Sequence, residues 1–153
     1  MSQIVQPKDR FKLIPAVYLI LIKDNKILLL KRKNTGFEDG NYGLVSGHLD
    51  GDEPVYQAMI RETKEEAGII LKKENLEVVQ ILHRGGRRPP NERIDFFIKA
   101  KKWDGEIRNM EPDKCDDLSW FDIDSLPDNT IGYIRHVIDC IKKDIVFSEW
   151  GWG

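Results

Sequence analysis

The chemistry of this chain is concentrated in three glutamates, Glu62, Glu65 and Glu66, beside Arg61. Glu62 and Glu66 are four residues apart and share one face of any helix that holds them; Glu65 is three from Glu62. Like charges at this spacing oppose each other by roughly 0.2–0.5 kcal/mol per pair, so a merely solvated helix would alternate its signs more evenly. Arg61 can relieve Glu65 at four residues' distance, whereas Lys64 points elsewhere. From the charges alone two readings stand: an exposed acidic face with partial salt bridging, or a site for a hard cation. Clustered carboxylates suit Mg2+, which usually takes one or two protein carboxylates and keeps waters for a phosphate substrate.

The element that must carry these residues is a helix over residues 54–67. Asp50, Asp52 and Glu53 sit before it or in its first turn, where carboxylates suit the positive end of the macrodipole. Pro54 is tolerated there because early helical N–H groups have no intrahelical partner. Gly68 stands where a left-handed C-terminal cap is expected. Val55, Ala58, Met59 and Thr63 form the expected buried stripe.

The spacing then narrows the choice. Gly47, five residues, Glu53, seven residues, and Arg61-Glu62-Thr63-Lys64-Glu65-Glu66-Ala67-Gly68-Ile69 resembles the Nudix box over residues 47–69. Every charged and glycine position matches. Thr63 departs from the bulky apolar residue expected there, a change that touches helix packing more than chemistry. The resemblance covers nearly the whole chain and implies one domain, 1–153, of α+β class: an α/β/α sandwich with a mixed β-sheet between helices. It implies Glu62, Glu65 and Glu66 as metal ligands with the Gly47 carbonyl, for Mg2+ or Mn2+ as a substitute. Glu62, Glu65 and Arg61 carry the catalytic assignment, with Arg61 holding the glutamates in place and Glu53 bracing loop to helix.

The implied reaction is hydrolysis of a phosphoanhydride bond in a nucleoside triphosphate, oxidised or modified nucleotides included, giving a monophosphate and pyrophosphate. The stretch 111–130 is similar to nucleoside-triphosphate pyrophosphatases and favours that substrate. The alternative within the enzyme class is ADP-ribose, another nucleotide sugar or a dinucleoside polyphosphate. A non-catalytic nucleotide-sensing module is the alternative from another class, and such modules usually lose box glutamates that this chain keeps.

Composition agrees with a small-molecule nucleotide partner. The 153 residues suit one core, and the net charge of −2 offers no basic field for nucleic acid. Cys115 and Cys140 lack metal-ligand spacing and read as free thiols in a reducing, cytoplasmic setting. The apolar run 13–22 is too short to span a bilayer and lacks a small-residue cleavage site, so it reads as a buried strand rather than a leader.

In chain order, strands are expected over 11–22 and 26–33 with a turn at Asp24-Asn25, then over 42–46, 76–83, 94–101 and 118–121, with a last helix over 131–142. The strand exit at Arg32 is a candidate phosphate or base contact, weighed against a solvated strand end. His48 is a candidate phosphate contact, weighed against a structural loop histidine. The loop 84–92 carries three arginines, and Glu92 at its end is a candidate extra carboxylate, with Asp95 as runner-up. By the same resemblance Asp128 and Asn129, with Tyr133, are base-contact candidates, with helix capping as the alternative for the first two. The tail FSEWGWG is expected to pack on the sheet, line the base pocket or meet a second subunit in a homodimer.

Overall fold

The computed structural model describes residues 9–86 and 91–153. The elements in order are β1 (Ile14–Ile20), β2 (Ile22–Lys23), β3 (Lys26–Arg32), β4 (Tyr42–Gly43), β5 (Ser46–His48), α1 (Val55–Ala67), β6 (Leu76–Arg84), β7 (Arg93–Ala100), β8 (Cys115–Asp122), α2 (Gly132–Lys142) and β9 (Phe147–Trp150). The expected first strand is split at Leu21, and the expected strand over 42–46 is two short pieces flanking Leu44 and Val45. β2 and β3 form the expected hairpin, with Asp24 and Asn25 both at positive φ, the backbone that a two-residue turn with matching twist demands.

One sheet runs β5-β1-β7-β6-β9. β1 pairs parallel with β7 and antiparallel with β5, and β6 pairs parallel with β9, so the sheet is mixed. A second, smaller sheet joins β3 to β2, β4 and β8.

Helices cover opposite faces. Val17, Leu19 and Leu21 pack with Ala58 and Met59 of α1, while Ala16, Tyr18 and Ile20 pack with Ile134, Val137 and Ile138 of α2. Alternate β1 residues point to opposite sides, so a strand covered on both faces must be apolar throughout. That is why the N-terminal run is apolar without a break: it is the buried strand expected from the sequence, flanked by β5 and β7. Among the described residues no helix is long and apolar enough to cross a membrane.

Candidate active site

α1 follows the expected pattern closely. Gly68 closes it in the left-handed region, φ 72°, and its N–H bonds to the Lys64 carbonyl. The buried face is Ala58, Met59, Thr63 and Ala67; Val55 is only half-buried. Burying that face fixes the opposite rotation, which sends Glu62 and Glu66 toward β5. The Ser46 N–H donates to Glu66 Oε2 at 2.9 Å. Glu62 lies directly against Gly47, where any added Cβ would overlap its carboxyl group.

Arg61 organises the acids. It makes a two-pronged contact with Glu53, Nη2 to Oε1 at 2.7 Å and Nε to Oε2 at 3.2 Å, and Nη1 donates to Glu62 Oε1 at 2.8 Å. Asp50 at 3.2 Å and Glu65 at 3.7 Å complete its surroundings. Glu53 in turn accepts from the Asp50 N–H at 3.1 Å, tying the loop to the helix. The Arg61 guanidinium holds Glu53 below the usual carboxylate range. Glu62 is pushed up, chiefly by burial, with Arg61 opposing. Glu66 is pushed up to about 8, first by burial and then by the nearby charges of Glu62 and Glu111.

A cleft of about 620 Å3 opens beside these carboxylates. Its acidic wall is Glu62, Glu65, Glu66 and Glu111, and its basic wall includes Arg32, Arg84, Arg93 and Lys114. Gly47, Ser46 and His48 line it from β5, and Tyr18, Phe37 and Tyr133 add aromatic surface.

Among the described residues no three Asp, Glu, His or Cys side chains close into a ready metal cage. Arg61 holds Glu62 through its Nη1. The donors nevertheless fit a hard divalent ion. They are carboxylate oxygens, and Glu66 is desolvated beside two further acids. A cation that keeps several waters needs few protein ligands and no closed cage.

The remaining sequence candidates divide clearly. Arg32 lines the cleft, and its Nε donates to the Phe37 carbonyl at 2.7 Å with the guanidinium 5.4 Å over the Phe37 ring. His48 lines it too, and its Nε2 accepts from Arg93 Nη1 at 3.1 Å. Glu92 does not line the cleft; it meets His83 at 2.8 Å, because the end of β6 lies opposite the start of β7. The runner-up Asp95 is fully buried, 3.0 Å from Arg84 Nε. Asp128 and Asn129 are outside the cleft as well. Asn129 donates to the Gly40 carbonyl at 2.8 Å, pinning the loop after β3, and neither residue caps α2, which starts after Ile131 without a side-chain cap. Of the loop arginines, Arg87 and Arg88 lie outside the described residues.

Sequence reasoning missed Glu111, Lys114, Arg93 and Tyr18; Arg84 belongs to the loop whose cations were weighed as polyphosphate contacts against solvated charge, and it lines the cleft. Glu111 and Lys114 sit in the turn before β8, where nothing in a one-dimensional pattern separates them from solvated charge. Arg84 and Arg93 carried a faint signal: each bounds a strand, and the two strands are joined by a loop rich in arginine.

A family model described as NUDIX domain matches residues 12–139. The chain belongs to the Nudix family and is a Nudix hydrolase. It is 36% identical over 137 residues to the ADP-ribose pyrophosphatase of Methanocaldococcus jannaschii, covering 88% of this chain and 78% of that one. It is 30% identical over 146 residues to the NAD-capped RNA hydrolase NudC of Vibrio atlanticus, covering 90% of this chain but 50% of that longer protein. Among solved structures, the MutT NUDIX hydrolase of Burkholderia pseudomallei superposes with a TM-score of 0.76 at 30% identity, covering 84% of this chain and 97% of that one. Nudix hydrolases generally use a divalent metal.

Proposed function

We propose that this enzyme hydrolyses the pyrophosphate bridge of a nucleoside diphosphate derivative, with ADP-ribose the first substrate to try. The single observation that carries the reading is the cleft itself: clustered carboxylates on one wall, with Glu66 desolvated among them, and arginine and lysine on the other. A pyrophosphate with a bound cation bridges two such walls. Two relatives support the choice of derivative, since ADP-ribose and an NAD cap both join two ribosyl units through pyrophosphate. This reverses the order drawn from the C-terminal sequence, which favoured nucleoside triphosphates. That second reading keeps one supporting observation: Arg32, Arg93 and Lys114 all line the cleft and could meet a longer phosphate chain.

Glu62, Glu65, Glu66 and the Gly47 carbonyl would hold Mg2+, or Mn2+ in its place, with Glu111 as the carboxylate supplied from outside the box. The bound ion supplies neutralisation of phosphate oxygens and a lowered pKa for attacking water. The residues then have separate tasks. Arg61 fixes Glu62 in one rotamer through Glu53, so the carboxylate loses little freedom in the reaction. Glu62 or Glu65 takes the proton from water, since a general base needs reach before it needs a tuned pKa. Arg32 and Lys114 spread the charge that builds on the departing phosphate.

The test is product analysis with Mg2+ on a panel of ADP-ribose, nucleoside triphosphates and diadenosine polyphosphates. AMP and ribose 5-phosphate from ADP-ribose, lost in Glu66→Gln, are expected. Pyrophosphate released from triphosphates alone would favour the second reading, and no turnover of any member would sink the hydrolase assignment for these substrates.

A further inference from the structure

The turn that brings Glu111 and Lys114 into the cleft is written in four residues, Glu111-Pro112-Asp113-Lys114. Proline at the second position presets the backbone for a tight turn. The Lys114 N–H closes it on the Glu111 carbonyl at 2.9 Å, and the Cys115 N–H reaches the same oxygen at 2.9 Å. The first and last residues of the turn both line the cleft. One turn thus supplies a carboxylate to the acidic wall and an ammonium to the basic wall. Its approach hangs on α1. An α-helix leaves its last carbonyls without intrahelical partners. Here the Ala67 carbonyl accepts from the Arg108 N–H at 2.9 Å, and the Glu66 carbonyl accepts from the Met110 N–H at 3.1 Å. Glu66 therefore holds, through its own backbone, the residue that precedes Glu111.

These backbone bonds fix where the turn starts but not where Glu111 points. Asn109 closes that gap. Its Oδ1 accepts from the Glu111 N–H at 3.1 Å, the bond that an asparagine makes to the backbone two residues on. Its Nδ2 donates to the Cys115 carbonyl at 2.7 Å. One side-chain amide therefore spans the stem, joining the residue that enters the turn to the residue that leaves it as β8. Pro112 restrains Glu111 from the other side, because a residue before proline is held in extended backbone. Among the described residues the Glu111 N–H has no other acceptor. Asn109 itself does not line the cleft, so it can act on the chemistry only through the residues it holds.

We infer that Asn109 is a positioning residue, which clamps the stem of this turn so that Glu111 is held beside Glu66 with Lys114 on the opposite wall. The inference rests on the metal-dependent hydrolase reading above and extends it to a residue outside the cleft. Groups that orient a metal ligand matter nearly as much as the ligand: losing one commonly lowers metal affinity by about 10–100-fold. A residue that works only through Glu111 has a signature that a merely structural one lacks. Once Glu111 can no longer ligate, removing Asn109 costs nothing more, because effects of residues that act as one unit do not add.

The experiment is a double-mutant cycle read by equilibrium Mn2+ binding without nucleotide, with free Mn2+ followed by electron paramagnetic resonance. The four proteins are the wild type, Asn109→Ala, Glu111→Gln and the double variant, each checked by thermal unfolding. Each single substitution should weaken Mn2+ by about 10-fold, and the double variant should bind within about 2-fold of Glu111→Gln. Asn109→Ser keeps an oxygen that accepts more weakly from the Glu111 N–H. It should fall between wild type and Asn109→Ala, and it carries the cycle if the alanine variant fails to fold. Wild-type binding by Asn109→Ala, losses that multiply in the double variant, wild-type binding by Glu111→Gln, or no Mn2+ binding by the wild type overturns the inference. Binding is measured without turnover. Coupled losses with no hydrolysis on the substrate panel would therefore sink the proposed reaction and leave the role of Asn109 standing, and hydrolysis with multiplying losses would do the reverse.

Discussion

Raising the pH in the absence of divalent cations should weaken this protein, and Glu66 should be the main cause. Its carboxyl is pushed from 4.5 to about 8, chiefly by burial. The folded state therefore keeps a proton that the unfolded chain releases near its ordinary value. Between those two values the folded state binds more protons, so stability falls as pH rises. At about 1.4 kcal/mol for each pH unit, ionising Glu66 in place weighs about 5 kcal/mol once the pH exceeds about 8. Glu62 is shifted in the same direction and adds to the slope. The measurement is urea unfolding with a chelator at about pH 5.5 and pH 8.5, on the wild type and on Glu66→Gln. Glutamine keeps an acceptor for the Ser46 N–H and cannot ionise, so the variant should lose most of the pH dependence. Mg2+ should restore the wild type at high pH, and its binding near pH 7 should release close to one proton, readable as a buffer-dependent heat. Equal slopes in wild type and variant would refute the argument that Glu66 is strained by its burial and awaits a cation.

Other outcomes are equally concrete. Thr63 has a fully buried hydroxyl with no partner among the described residues, so Thr63→Val should stabilise the fold by about 1–2 kcal/mol in chemical unfolding; a loss of stability would show that the hydroxyl is satisfied. Gly47→Ala drives a methyl into the Glu62 carboxyl and should cut kcat by ~100-fold or more, as displaced catalytic groups do, with the circular-dichroism spectrum unchanged. Glu111 lines the cleft and Glu92 does not. Glu111→Gln should therefore lower kcat by at least ~10-fold, while Glu92→Gln stays within about 2-fold, because Glu92 is held by His83 outside the cleft lining; the reverse ranking would restore Glu92.

How far the chain could be read shows in its particular residues. The box glutamates, Arg61, Gly47 and Gly68 were legible because α1 is a short-range object: its spacing, its cap and its buried face all follow from neighbours within a few turns. Arg32 was legible as a basic strand exit and His48 as a loop histidine beside the box, though not the Phe37 carbonyl that holds Arg32 or the Arg93 that meets His48. Glu92, Asp128 and Asn129 were placed by resemblance to relatives that use these regions of the chain, and no motif fixes which side chain of a strand end or turn faces the cleft. His83 captures Glu92 and the Gly40 carbonyl captures Asn129. Tyr18 looked like one more apolar-run residue, yet its hydroxyl is a polar tip on the cleft floor.

The sequence by itself determined the family, the acidic helix and the hard-oxygen character of the site, because these depend on residue type at fixed local spacing. Only the tertiary structure decided which distant groups join it. Glu111 and Lys114 come from the turn before β8, Arg84 and Arg93 from paired strand ends, and Tyr133 from the last helix. Those meetings depend on the order of strands across a sheet and on which helix covers which face. A mixed sheet that pairs β1 with β7 and β6 with β9 brings together residues dozens of positions apart, and no local pattern encodes that pairing.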